Sequence, residues 1–278
     1  MMKFRVGNIP VRVTLWFALT TFGMARDLDA VRALAWFGIV FLSVLVHELG
    51  HAIAGRALGL TQPTIELHGM GGTASWGGGK TLRPWEDIQT SFAGPLAGFL
   101  LGALVYAYAR ILPPESGFAN WLVRSFLWVN VGWGLVNLMP VLPFDGGHIL
   151  RATLRKFAAR RADSLSRYIS VGVAAVAIVG SLYLEMTGLA FLFGFALFIN
   201  VRSLQTSREY SFNTGMAAVV ARVQTFFRRG GKAAAKPARG QKDRTYLRLV
   251  ELPDEDLPPL PPEAEERIQA LLRGGKKR

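Results

Sequence analysis

Apolar residues along this chain gather into long runs, and six of these approach the length of a bilayer span. Crossing takes about 20 apolar residues, with a range of roughly 17 to 25. The runs are Val11 to Ala25, Ala33 to Leu58, Phe92 to Leu112, Trp121 to Leu142, Ile169 to Leu184 and Gly188 to Val201. The first is short, and the last two are joined by a tight turn at Glu185-Met186-Thr187. One interval differs: Thr64 to His68 and Thr73 to Trp76 are short β-prone runs around Gly69 and Gly71-Gly72, the signature of a hairpin. An open strand edge is not tolerated in lipid, so the hairpin must be buried in protein or line a wet cavity. The pattern predicts an all-α polytopic membrane protein, with about six transmembrane helices and a short membrane-associated β-hairpin.

After Ser211 the pattern stops. Arg228 to Lys232 and Lys236-Pro237 have the composition of a flexible basic linker. Leu257 to Pro262 favours extended polyproline, and Glu263 to Arg273 a short amphipathic helix. The division predicted is a membrane core over 1–210 and a basic, Pro-rich, partly disordered tail over 211–278. No internal repeat is present, and no cleavable signal peptide is expected: the run from Val11 lacks a small-residue cleavage site.

Charge orients the spans. Arg151 to Arg167 carries six basic residues against Asp163 alone, while Asp27, Asp29, Glu115 and Glu185 fall in the weakly charged loops of the opposite side. With Lys3, Arg5 and Arg12 at the start, the positive-inside rule puts both termini in the cytoplasm of a multi-pass cell-membrane protein. The net charge of +13 is thus a matter of topology and contact with anionic lipid rather than of nucleic-acid binding. Composition agrees with the membrane assignment: 51% of the 278 residues are hydrophobic and 18% charged. The chain has no cysteine, so a metal would be held by His, Asp or Glu.

Such a set lies within the second run. His47-Glu48-Leu49-Gly50-His51 puts two imidazoles four residues apart on one helix face, with a carboxylate beside them. Ionisable side chains inside a bilayer are costly and mark functional sites. Two histidines leave a catalytic zinc site one protein ligand short. Asp145 follows the fourth run at its cytoplasmic end, at the depth of His47 and His51, which makes it the best third ligand.

Two separated motifs now carry a resemblance. His47 to His51, together with Asn137, Pro140 and Asp145-Gly146-Gly147, is similar to the paired signatures of the site-2 protease family of intramembrane zinc metalloproteases. Phe92 to Ala97 resembles that family's small-residue start of the next core helix. The resemblance covers residues 10 to 200. It implies zinc on His47, His51 and Asp145, Glu48 as catalytic base, and cleavage in or near a substrate's transmembrane segment. It also suggests Asn137 as a hydrogen-bond partner of the substrate backbone or the developing oxyanion, with polar glue between helices as the alternative.

Two other histidines remain open. His68 on the hairpin is either solvated or near the metal site, and His148 is placed to support Asp145 from behind. The loops are too short for the PDZ domain that many relatives carry, and the segment after Asn200 shows no CBS-like pattern. The partners expected are therefore a transmembrane protein or peptide substrate, the lipid bilayer and, through the tail, a regulatory protein. The function expected is clipping of a membrane-bound regulator or a remnant signal peptide. The alternative is a non-proteolytic membrane metal-binding protein or transporter, which predicts more polar residues along a path than these spans offer.

Overall fold

The computed structural model describes residues 1–78 and 80–206. The chain starts in two strands, β1 (Met2–Val6) and β2 (Ile9–Val13), then α1 (Leu15–Met24) and α2 (Ala30–Ala57). Strands β3 (Pro63–His68) and β4 (Gly71–Trp76) precede α3 (Pro84–Ile111). Then come α4 (Gly117–Leu127), a π-helical turn (Trp128–Gly132) and α5 (Trp133–Asn137). Last are α6 (Asp145–Ala158), a 3₁₀ turn (Ala159–Arg161), α7 (Ala162–Tyr183) and α8 (Thr187–Thr206).

Helix starts follow from local chemistry. Asp29 caps α2 through a bond from the Arg32 N–H (2.9 Å), and Ser116 caps α4 from Ala119 (3.1 Å). At α3, Pro84 fills the first position, and the Glu86 carboxylate reaches back to the Arg83 N–H at 2.8 Å.

The sheet exceeds the hairpin read from the sequence. Its order is β1-β2-β3-β4, with β3 and β4 antiparallel from Pro63↔Trp76 to His68↔Gly71. β2 and β3 pair in parallel across the α1–α2 crossover. Ile9, Val11, Val13, Ile65 and Leu67 alternate onto one buried face, which joins Phe17, Ile39 and Leu45 in a common core. Lys3, Arg12 and Glu66 point the other way. The sheet is thus a half-buried plate against α2, and β4 is its free edge on that side.

Four described helices are long and apolar enough to cross a membrane: Ala30–Ala57, Pro84–Ile111, the nearly continuous Asp145–Tyr183, and Thr187–Thr206. The other two expected spans differ. In Val11 to Ala25, Val11 to Val13 belong to β2, and only the ten-residue helix α1 follows. An alternating strand and a helix, both apolar, had merged into one run. Trp121 to Leu142 is helical only as far as Asn137 and is interrupted by the π turn; Met139 to Phe144 form a connecting loop. The basic stretch Arg151 to Arg167, expected to lie between the fourth and fifth spans, is largely helical.

Met1–Gln205 forms one compact unit. The linker, polyproline segment and amphipathic helix expected beyond residue 210 lie outside the described residues.

Candidate metal centre

Helix α2 delivers the histidine pair. His47 and His51 lie one turn apart, with Nε2 atoms separated by 3.1 Å. The first residue of α6 completes the group: Asp145 puts one carboxylate oxygen 3.1 Å from His47 Nε2 and the other 3.3 Å from His51 Nε2. Among the described residues, this is the only cluster of His, Cys, Asp or Glu arranged to share a metal ion. Donor atoms about 2.0–2.1 Å from a tetrahedral zinc stand about 3.3 Å apart, so the spacing fits that ion. The donor set fits too: two imidazoles, one carboxylate, and a fourth position for substrate or water.

His51 is oriented from behind. Its Nδ1–H donates to the Thr90 carbonyl of α3 at 2.8 Å. A carbonyl can only accept, so the neutral ring keeps its proton on Nδ1 and turns the Nε2 lone pair inward. The carbonyl comes this close because the helices touch. A Cβ on Gly50 would run into the backbone of Ala93, and one on Gly94 would overlap the His51 ring and lie 2.8 Å from His47 Nε2. Sequence reasoning named Phe92 to Ala97 as a small-residue helix start. It missed Thr90, because every residue carries a carbonyl and no side chain advertises this one.

Glu48 is only 4% exposed and sits beside the ligand group. Its carboxylate faces the backbone amide of Ala74 on β4. Gly72 makes this approach feasible, since a Cβ there would fall 2.6 Å from Glu48 Oε1. One turn beyond His51, the Trp76 indole packs on Gly55, where a Cβ would meet it at 2.6 Å. The free edge of β4 therefore lies along the face of α2 that bears the acid and the two histidines.

The remaining sequence candidates are elsewhere. Asn137 is the last residue of α5, half-buried, eight residues before Asp145 and outside the three-residue group. His68 is not part of the three-residue group. Its Nδ1 accepts from the Met70 N–H (3.2 Å) and its Nε2 meets Thr73 Oγ1 (2.9 Å), so it ties the β3–β4 turn. His148 has its Nδ1 3.2 Å from the Arg151 guanidinium. Nearby, Arg155 of α6 pairs with Asp87 of α3, bracing the two helices that carry Asp145 and Thr90.

Comparison with known proteins agrees with this geometry. Residues 35–120 and 113–180 match the model of peptidase family M50, just over half of the chain. The chain belongs to that family. It is 26% identical over 216 residues to a zinc metalloprotease of Methanocaldococcus jannaschii, covering 76% of this chain and 61% of the relative. It is 34% identical over 158 residues to Rip3 of Mycobacterium tuberculosis, covering 55% and 38%. It thus spans about three fifths of the first relative's length and less than two fifths of the second's. Among solved structures, the site-2 protease of M. jannaschii superposes with a TM-score of 0.54 at 23% identity, over 73% of this chain and 94% of that one. That likeness establishes a shared fold.

Proposed function

We propose that the chain is an intramembrane zinc endopeptidase that hydrolyses a peptide bond in or near the transmembrane segment of a membrane protein. The observation that carries this reading is the convergence of His47, His51 and Asp145 from two helices, with Glu48 buried beside them. Those three residues would hold zinc. When bound, zinc activates water and polarises the scissile carbonyl. Glu48 takes the proton of the attacking water and hands it to the leaving amine. No ligand set requires Glu48, which favours hydrolysis over metal storage or transport.

A helical substrate hides its peptide bonds, so it must unwind before cleavage. The free edge of β4 offers backbone groups to an extended segment beside Glu48, and we assign it the role of holding the substrate as an added strand. Alanine or proline at Gly71 or Thr73 should then slow cleavage while zinc binding persists. Asn137 is assigned to the substrate backbone or the oxyanion.

In this reading α1 and the 117–137 helical run join the four long helices to make a six-segment membrane core. Both termini are cytoplasmic. The polar face of the sheet, with Lys3 and Arg12, meets the aqueous side. Residues 211–278 form a cytoplasmic tail that contacts a regulatory partner.

The test is reconstitution of the purified protein in lipid vesicles with candidate single-span proteins, followed by mass spectrometry of the products. Cuts within or beside the span, abolished by a zinc chelator and restored by zinc, support the proposal. Cleavage that persists in the zinc-free protein would overturn it.

A further inference from the structure

The loop that delivers Asp145 is held at one residue by two helices that follow it. Leu142 is 5% exposed, and both of its backbone polar groups are taken by side chains. Its N–H donates to Ser170 Oγ of α7 at 3.0 Å, and its carbonyl accepts from Asn200 Nδ2 of α8 at 2.6 Å. Both side chains are fully buried.

The two use the same chemistry. The Ser170 hydroxyl spends its proton on the Ser166 carbonyl four residues back (2.8 Å), leaving a lone pair aimed at Leu142. Asn200 gives one amide hydrogen to the Ala196 carbonyl four residues back (2.8 Å), leaving the other for Leu142. Each rotamer is thus locked by its own helix before it grips the loop. A buried backbone group left without a partner is strongly unfavourable, so the loop's path is tied to both contacts.

The grip reaches Asp145 through direct backbone packing. Gly147 is pressed so closely on Val141 and Leu142 that a Cβ there would overlap their backbone. Gly146 stands in the same relation to the carbonyls of Leu138 and Met139. The first turn of α6, which presents the carboxylate, therefore rests on the backbone that Ser170 and Asn200 hold. Val141, Ala174 and Ala196 pack around it with Phe144, whose ring meets Phe193 edge-on at 5.8 Å.

We propose that Ser170 and Asn200 are positioning residues for the metal centre, setting where Asp145 stands relative to His47 and His51. The proposal rests on the assignment of Asp145 as a zinc ligand. Asn200 lies beyond the residues matched to the family model, so nothing in that match assigns it this role.

The test measures zinc affinity by chelator competition in the full-length, detergent-purified protein, beside thermal melts of the zinc-free form. Ser170→Ala and Asn200→Asp each remove one bond to Leu142, and zinc binding should weaken about 10- to 100-fold, as when groups that orient metal ligands are lost. Ser170→Thr keeps the hydroxyl and should restore near wild-type affinity. Wild-type affinity in Ser170→Ala and Asn200→Asp, with zinc lost in Asp145→Ala, overturns the positioning role and leaves the metal centre standing. Wild-type affinity in Asp145→Ala overturns the metal centre itself. Failure of Ser170→Thr to rescue Ser170→Ala also overturns the proposal, because the hydrogen bond is then not the cause. If Asn200→Asp is not recovered folded, the two Ser170 variants decide alone.

Discussion

Gly94 of α3 lies against the ring of His51 so closely that a single methyl group at its Cα would occupy the space of the imidazole edge. The consequence is testable because the substitution favours the helix while harming the site. Alanine is a better helix former than glycine by about 1 kcal/mol, so Gly94→Ala should leave α3 intact. It should nonetheless push His51 off the Thr90 carbonyl and lower zinc affinity at least about tenfold, within the range seen for lost ligand-orienting contacts. Equilibrium dialysis against zinc checks this; unchanged binding would mean that the α2–α3 contact is looser than described.

Gly72 stands in the same relation to Glu48, but the expected defect differs. A Cβ at Gly72 meets the acid's Cγ at 2.5 Å, and the three atoms nearest to it all belong to Glu48. Gly72→Ala should therefore lose most proteolysis while retaining stoichiometric zinc. Metal content by atomic emission and cleavage of a reconstituted substrate separate this outcome from that of Gly94→Ala.

How much of this was legible beforehand depends on what each role requires. His47, Glu48 and His51 declare themselves because a four-residue spacing on a helix is local. Asp145 could be inferred from depth and from the missing ligand, even though its partners lie about a hundred residues away. Val11 and Val13 read as the start of a span because single polar residues, Arg12 and Thr14, are too short a break to separate the strand from the apolar helix that follows. Thr90 contributes a backbone oxygen, and Ser170 and Asn200 are ordinary polar residues in apolar helices. Their roles appear only when the partner backbone is known.

The Asp87–Arg155 pair bridges α3 and α6, and both partners are largely withdrawn from solvent (19% and 31% exposed). Asp87→Ala leaves the guanidinium without its carboxylate. A charge-assisted hydrogen bond at this degree of burial is worth about 1–2 kcal/mol after allowance for screening. The variant should melt at a lower temperature in detergent, and the drop should persist in the zinc-free protein because the pair lies outside the ligand group. A drop that vanished without zinc would tie the pair to the metal instead.

If His47, His51 and Asp145 hold the metal as proposed, zinc should also stabilise the fold, since these candidate ligands come from α2 and α6 and the unfolded chain does not preassemble them. At free zinc 100 times the dissociation constant the gain is about 2.7 kcal/mol. Thermal unfolding with and without a zinc chelator should show this upward shift in wild type, and Asp145→Ala should abolish it.

The most direct test of the account is Glu48→Gln, which preserves shape and removes the basic carboxylate. Zinc content and cleavage of a reconstituted single-span substrate are measured on the same preparation. The account predicts full zinc occupancy with cleavage reduced by at least about a hundredfold, the scale expected for a lost general base. Wild-type cleavage by Glu48→Gln would contradict it.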